Sequence, residues 1–427
     1  MNDSSNTIPE CPHGPMLLFP KYGKNKAVVS RVFACSAYRS SKECPFSMRE
    51  DSKMSSEKEM MLEDMKKTSL PQLDIGALKN RLKRVKKMPP SKRKYCNSCN
   101  ELVTSLVAHE SHDVVSGISN EMLQTPTKIL QQKSDSKKES QFHFTDDTTN
   151  TILDIISHNQ RSHVICVGTP SVHEAIKSSN SKAESILLDI DHRYYNFYSE
   201  EEFIWFNMYN GYFFQNENSP MNLFKFFKDK DVMLIVDPPF GAKFEPLADT
   251  VKKLERMHLE ACDSLKSFDV MLFSPYFREK EILNVFPMYH MADYKVNYAN
   301  HKQFQSGGRK QGSPVRVYTS LASDKVPLPT LENYWFCKRC KAWRSEDNSH
   351  CDKCNTCSSK NGTKYWHCDK CRQCIKPSWY HCDTCSKCCH PSHVEEHKAQ
   401  GDKKPIATKR RGPLLKMNKK TKKRKFK

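Results

Sequence analysis

No stretch of this chain approaches the roughly 18 consecutive apolar residues that a membrane-crossing helix takes, so no membrane partner is expected. The opening MNDSSNTIPECPHG lacks a basic region followed by an apolar one, so no secretory leader is expected either. Negative charge is in short supply: 49 Asp+Glu stand against 69 Lys+Arg, a net charge of +20. Such an excess points to a polyanion, and nucleic acid is the usual one. Cysteine is abundant instead. Of 19 Cys, five precede residue 100 and twelve lie between Cys337 and Cys389, mostly at two-residue spacing and interleaved with His. Disulfide frameworks occur in secreted chains and do not need His. This pattern reads as zinc ligation in a reducing compartment, nucleus or cytosol.

With 427 residues, the chain is long enough for about two to three domains. Residues 1–50 form a small loop-rich unit. Residues 51–94 are charged and helix-permissive, ending in a strongly basic stretch from Arg81 to Lys94, and read as a linker or exposed basic arm. Residues 95–113 hold a second Cys/His cluster, and the polar 114–140 reads as a connection. From 141 to about 325 apolar runs recur at 164–167, 186–190, 232–236, 270–273 and 315–318, with helical character at 152–156 and 247–265. That alternation predicts an α/β domain with a largely parallel sheet covered on both faces. Residues 334–397 are Cys/His-rich with little aliphatic content, so metal ligation must supply much of their stability. The basic tail 398–427 reads as a solvating tail, a nuclear or nucleolar address, or a non-specific RNA clamp.

The most informative stretch is Asp237-Pro238-Pro239-Phe240, which follows the apolar run 232–236. It places an acid, two ring-locked residues and an aromatic at the carboxyl end of a strand, where open α/β sheets bind ligands. Asp237 accepts a hydrogen bond from an exocyclic amine. Pro238 has no N–H, so its carbonyl can turn inward as a second acceptor. Phe240 can stack on a base taken out of its helix. A strand followed by a Pro-Pro turn with a packed Phe is the plainer alternative. DPPF resembles the [DNS]-P-P-[YFW] motif of adenine-N6 and related amino methyltransferases. A methyltransferase also needs a pocket for S-adenosylmethionine. The turn Gly168-Thr169-Pro170 after the first run is placed to pass the methionine moiety, although it holds a single Gly. Asp189, which ends the second run, suits the ribose hydroxyls. The segments 293–298 and 315–321 read as an antiparallel hairpin. Their connection, 300–314, reads either as a gate or as a solvated loop.

Three zinc units are expected. Cys11, His13, Cys35 and Cys44 complete a tetrahedral set. With Phe19, Tyr22, Arg31, Phe33 and Phe46 interleaved, that unit looks like a GRF-type finger for single-stranded nucleic acid. Cys96, Cys99, His109 and His112 form a C2H2-like set, read as a structural staple. The third block repeats His-Cys-x2-Cys-x2-Cys, as His350, Cys351, Cys354, Cys357; His367, Cys368, Cys371, Cys374; and His381, Cys382, Cys385, Cys388. Cys337 and Cys340 precede it, and His393 and His397 follow. These sixteen ligands suffice for four zinc ions, with Cys389 and His390 extra and the pairing open. Trp343, Trp366, Trp379 and Lys376 form either a nucleic-acid surface or a small core.

Taken together, QFHF (141–144), CVGTP (166–170), LLDIDHRYYNFY (187–198), FNMYNGYFF (206–214), DPPFGAKFEPLA (237–248) and DYKVNYANH…GRKQGSPVR (293–316) resemble the zinc-finger, CCHC-domain-containing ribosomal RNA adenine-N6 methyltransferases of eukaryotes. The resemblance runs from about Cys11 to His397. It implies a class I, Rossmann-like methyltransferase sheet flanked by small zinc-stabilised domains. It also implies methyl transfer to N6 of an adenine in large-subunit ribosomal RNA. Gln141, Phe142, His143, Phe144, Asn207, Met208, Asp189 and Asp237 would line the cofactor site. The C-x2-C-x4-H-x4-C knuckle of the family name has no counterpart, since no Cys follows Cys389. The HC-x2-C repeats also look like the zinc domain of palmitoyltransferases, but that class needs transmembrane helices. A methyltransferase for another RNA, for DNA or for protein Gln, and a non-catalytic zinc RNA-binding protein, are the remaining alternatives.

Overall fold

The computed structural model describes residues 8–23, 25, 27–37, 44–68, 70–105, 107–132, 141–179, 181–214, 218–301 and 311–393. The basic tail, most of the 300–314 connection and His397 lie outside the described residues. The chain divides into two compact units, 1–365 and 366–427. None of the helices among the described residues is long and apolar enough to cross a membrane.

The first unit is organised by an eight-stranded sheet. Its strands are β1 (His163–Val167), β2 (Glu184–Asp189), β3 (Phe203–Asn207), β4 (Tyr212–Phe213), β5 (Val232–Val236), β6 (Phe268–Pro275), β7 (His290–Ala292) and β8 (Val315–Thr319). Their spatial order is β4-β3-β2-β1-β5-β6-β8-β7. The five central strands β3, β2, β1, β5 and β6 are parallel, and β4, β8 and β7 are antiparallel to their neighbours. The chain builds outward from β1 in one direction and then restarts at β5 on its other side. This makes the β1/β5 junction the switch point of the sheet, where the carboxyl ends of the strands open a crevice.

Successive residues of a strand face opposite sides, and here both sides are dry. Val164, Cys166, Leu187, Met233 and Ile235 enter one core, whereas Ile165, Val167, Ile186, Leu188, Leu234 and Val236 enter the other. Two helices cover the first face, α1 (Asp146–His158) through Ile152, Ile155 and Ile156, and α2 (Pro170–Ser178) through Val172 and Ile176. Three cover the second: α3 (Ser219–Phe227), α4 (Phe244–Ala261) and α5 (Glu279–Val285).

Three features depart from the expectation. First, β3 and β4 stand where FNMYNGYFF was read only for its resemblance. Second, the strand paired with β8 is His290–Ala292, not 293–298. Asp293 is pulled out of the sheet because its carboxylate accepts from Ser345 N at 3.0 Å, Ser345 Oγ at 3.1 Å and Asn348 Nδ2 at 2.9 Å. Third, the stretch read as a charged linker carries two helices, Ser56–Thr68 and Ile75–Lys87. Leu62 of the first helix enters the small core of the N-terminal unit, and Leu82 and Val85 of the second enter the main core. Segment 114–132, read as a connection, likewise buries Ile118, Leu123, Ile129 and Leu130 in that core. Charged and polar residues around the few apolar positions hid these thin apolar stripes.

The Cys/His segments share one local device. Asn100, Lys341, Asn355, Arg372 and Ser386, each directly after the second Cys of a C-x2-C pair, have φ between 48° and 57°. The left-handed residue turns the chain back sharply so that both thiols face one point. Among the groups that bring their ligand atoms within 4.8 Å of one another are Cys11, His13, Cys35 and Cys44; Cys96, Cys99, His109 and His112; Cys337, Cys340, His350 and Cys357; and, in the second unit, Cys368, Cys371, His381 and Cys388. Thus the His and last Cys of a repeat join the C-x2-C before it, and the repeats interlock. Further along the second unit, Cys389 faces Cys382 and Cys385, and His393 Nε2 lies 3.8 Å from Cys385 Sγ. Cys389, set aside in the sequence reading, therefore stands in a ligand position.

The metal segment 334–365 docks on the sheet edge through buried polar groups. Arg316, fully buried on β8, donates to the Ser313 carbonyl at 2.7 Å and the Val315 carbonyl at 2.9 Å, with Asp293 Oδ1 3.9 Å from its Nε. Lys295 pairs with Asp347 at 2.6 Å. Removing Asp293 leaves the buried Arg316 charge uncompensated and three donors unpaired. Asp293→Ala is expected to cost about 3–5 kcal/mol in urea unfolding, and Asp293→Asn substantially less.

Candidate active site

The carboxyl ends of β3, β2, β1 and β5 deliver Asn207, Asp189, Gly168 and Asp237 to one crevice. It is lined by Gln141, Phe142, His143, Gly168, Pro170, Asp189, Met208, Asp237 and Pro239, and encloses about 760 Å³ counting its open mouth.

Gly168 takes a left-handed backbone conformation that favours glycine. Its φ is +65°, and a Cβ there would stand 2.9 Å from Met208 Cε and 3.3 Å from the Asp237 carbonyl. Its N–H donates to Leu188 O at 3.0 Å, while Asp237 N donates to Val167 O at 3.2 Å, so the turn is tied to the strands on both sides. The two acids after β2 are distinct in role. Asp191 is buried and committed, accepting from Arg193 Nη2 at 2.6 Å and Gln141 Nε2 at 2.7 Å. Asp189 accepts from Asp191 N at 2.9 Å and lines the crevice.

The opposite wall is made by two segments zipped together. Ala299 N donates to His143 O at 2.8 Å, Thr145 N to Asn297 O at 3.1 Å, and His143 N to Asn300 Oδ1 at 2.9 Å. This zip carries Tyr298 to the DPPF turn, where its hydroxyl donates to Asp237 Oδ1 at 2.9 Å. Burial pushes the Asp237 carboxyl well above the usual carboxylate range, and the Tyr298 bond opposes that shift. Burial also draws His143 down to about 4, against the pull of Asp191, so the imidazole is neutral. Its Nδ1 is buried without a hydrogen-bond partner in the protein.

Beside Asp237 the aromatic rings gather. Phe240 meets Tyr298 at 5.9 Å and His301 at 6.4 Å, and Phe142 meets His301 at 4.3 Å. Arg278 Nη1 donates to the Phe240 carbonyl at 2.7 Å, fixing the turn. Pro238 is buried within this turn, and neither it nor Phe240 is among the residues that line the crevice.

Most of the expected cofactor residues meet here, but three play other parts. Phe144 is buried against Phe273 at 4.8 Å in the core. Thr169 is buried beneath the turn and does not line the crevice. Asn207 lines it, yet its side chain is spent: Nδ2 donates to Ser36 Oγ at 2.8 Å and Oδ1 accepts from Tyr209 N at 3.0 Å. Tyr194, Tyr298, Arg278 and His301 were not singled out from the sequence, although all but Arg278 lie in the segments of resemblance. Ala37, from the N-terminal unit, lines the crevice with no sequence signal at all.

Among the residues expected to stack on bases, Phe46 is buried and Phe33 packs on the same small core, whereas Tyr22 is exposed. Phe19 lies under the Lys243 ammonium at 5.5 Å. Trp343 packs on Phe336 at 5.6 Å. In the second unit Trp379 joins the small core, with Lys376 over its ring at 5.7 Å, and Trp366 is exposed.

Residues 135–320 match the family model described as a probable N6-adenine methyltransferase. The rRNA N(6)-adenosine-methyltransferase ZCCHC4 of Xenopus tropicalis is 38% identical over 359 residues, 81% of this chain and 74% of that protein. The protein of the same name from Xenopus laevis is 39% identical, covering 81% and 73%, and that from Homo sapiens is 36% identical, covering 82% and 71%. With the DPPF turn and the Asp189 strand end inside the span of the family model, and with relatives 36–39% identical over about four fifths of its length, this chain belongs to the ZCCHC4 family of N6-adenosine methyltransferases.

Proposed function

We propose that this protein transfers a methyl group from S-adenosylmethionine to N6 of an adenosine in large-subunit ribosomal RNA. The observation that carries the reading is the Asp237 carboxyl: it is held by Tyr298 at the carboxyl end of the sheet, beside Phe240 and in one crevice with Asp189. The names of the relatives support ribosomal RNA as the substrate.

The crevice fits the cofactor on its own chemistry. Asp189 at the end of β2 is the acceptor for ribose hydroxyls, the bare Gly168 leaves room for a ligand to approach the turn, and the unpartnered His143 Nδ1 is left for a polar group of the ligand. S-adenosylmethionine supplies an electrophilic methyl group on a sulfonium. The protein's task is then positioning. Adenine N6 is a poor nucleophile because its lone pair is delocalised into the ring. With Asp237 Oδ1 taken by Tyr298, Oδ2 and the Pro238 carbonyl accept the two N6 hydrogens and turn the lone pair outward. Phe240, braced by Arg278, stacks on the base. Such orientation supplies on the order of 7–11 kcal/mol in favourable cases.

The donor sets of the metal groups, thiols with one or two imidazoles and no carboxylate, fit zinc. Their place here is structural, with RNA contact on their exposed aromatics. Trp335 and Phe336 are 37% and 38% exposed, and Trp366 and Tyr380 are 41% and 56% exposed. The helix Ile75–Lys87 adds exposed Lys79, Lys83, Arg84, Lys86 and Lys87 as phosphate contacts.

The test is methyl transfer from labelled cofactor to large-subunit ribosomal RNA from cells lacking the protein, followed by digestion to nucleosides. Wild type should yield N6-methyladenosine, and Asp237→Asn at least about a hundredfold less at saturating cofactor. Product on another RNA alone would move the substrate assignment. The same assay gives a pH dependence. The ionised carboxylate is the acceptor, so kcat/KM should rise with pH through an acid limb lying above the ordinary carboxylate range. Tyr298→Phe removes the donor that favours the carboxylate, so its limb should move to higher pH. A limb that stays in place would remove Asp237 from the reaction.

A further inference from the structure

The N-terminal Cys/His unit touches the crevice through consecutive residues. Cys35 is one of the four grouped ligands, Ser36 Oγ accepts from Asn207 Nδ2 at 2.8 Å, and Ala37 lines the crevice. Ligand, tether and wall thus follow one another along the chain. A second tether leaves from another ligand residue. The His13 carbonyl accepts from Asn210 Nδ2 at 3.0 Å and lies 3.5 Å from Asn207 Nδ2, and the Pro15 carbonyl accepts from Asn210 Nδ2 at 3.0 Å. Gly14 lies flat on Tyr212, so that a Cβ there would come within 2.4 Å of that ring. All these contacts fall on the end of β3 and on β4, the stretch that also supplies Phe206, Asn207, Met208 and Tyr209 to the crevice.

The unit cannot hold this shape by burial. Its core is Met16, Phe46 and Leu62 with the three thiols themselves. In units so small the free energy of metal binding is the free energy of folding. Three buried thiols and a buried imidazole with mutually close ligand atoms fit zinc.

We infer that the N-terminal metal unit is a wall of the cofactor pocket, so that metal bound by Cys11, His13, Cys35 and Cys44 raises the protein's affinity for S-adenosylmethionine. Asn207 is in this account a positioning residue, joining the metal unit to β3. The inference rests on the assignment of the crevice to that cofactor. Coupling between two sites is reciprocal, so the cofactor must in turn hold the metal.

The experiment uses the full chain and measures S-adenosylmethionine binding by titration calorimetry beside zinc content. Cys44→Ser should lose zinc and bind the cofactor roughly 5–150-fold more weakly. Cys371→Ser, which loses zinc from the second unit, should bind it as wild type does. Ala37→Phe fills the crevice from the finger side and should keep its zinc while losing cofactor binding. Saturating S-adenosylmethionine should slow zinc release to a chelator from wild type, and the slowed component should be missing in Cys44→Ser. Hydrogen exchange of β1, β2 and β5 amides checks that the sheet stays folded in each variant. Wild-type affinity in Cys44→Ser, or in zinc-replete Ala37→Phe, overturns the inference alone. A wild-type protein that binds no S-adenosylmethionine overturns the pocket assignment, and the coupling falls with it.

Discussion

The bond from Tyr298 to Asp237 is the constraint around which the site is built. An acid at the end of a buried strand pays a desolvation penalty, and a single donor relieves part of it. To deliver that donor the chain must leave the sheet after β7 and run back along 142–145. The zip between these two segments does this, and the same zip places Phe142, His143 and His301. One hydrogen bond therefore ties the DPPF turn, the QFHF segment and the departure of Asp293 from the sheet into a single arrangement. The departure is in turn held by the Asp293 carboxylate, which also anchors the metal segment 334–365 through Ser345 and Asn348.

The metal segments borrow what they lack. None has aliphatic content for a core of its own, so each spends its metal-ligand turns on local shape and leans on the sheet or on its own repeat for the rest. In the first unit this produces buried polar docking: Arg316, Asp293 and Asn348 at one edge, Asn207 and Asn210 at the other. Buried hydrogen-bonded groups fix register more sharply than apolar contact, because a slipped arrangement leaves donors unpaired. That is a reason for the asparagines at the β3–β4 end to be bound to carbonyls of His13 and Pro15 rather than replaced by greasier side chains.

What was legible in the sequence had short-range causes. The apolar runs of β1, β2, β5, β6 and β8 stand out because both faces are buried, and Asp189 and Asp237 stand out because they end such runs. C-x2-C pairs declare themselves because a ligand turn needs both thiols on one loop. What was not legible depends on distant partners. The stripes on Ser56–Thr68 and Ile75–Lys87 are thin among charges, and only the surface that Leu62, Leu82 and Val85 bury shows them to be structural. The interlock of the repeats, in which Cys357 joins Cys337 and Cys340, is a choice among equal spacings. Ala37 carries no chemistry that a sequence could flag. Asn207 was placed in the cofactor site by resemblance; it lines the crevice, but its amide faces the N-terminal unit.

The crevice suppresses charge in the absence of ligands: burial favours the protonated form of Asp237 and the neutral form of His143. A site that did the reverse would hold water around a standing charge and would have to strip that water before the base could approach. On the proposed reading the cofactor brings a positive sulfonium, and an opposite charge nearby favours ionisation of a carboxyl. The acceptor that orients the amine is then strengthened by the arrival of the group that will alkylate it, while Tyr298 already holds its first oxygen. Neutral His143 suits the same event, since an imidazolium in that wall would repel the sulfonium. The two burial effects act in one direction, and both follow from closing the carboxyl end of the sheet with the 141–144 and 297–301 segments on one side and the N-terminal metal unit on the other.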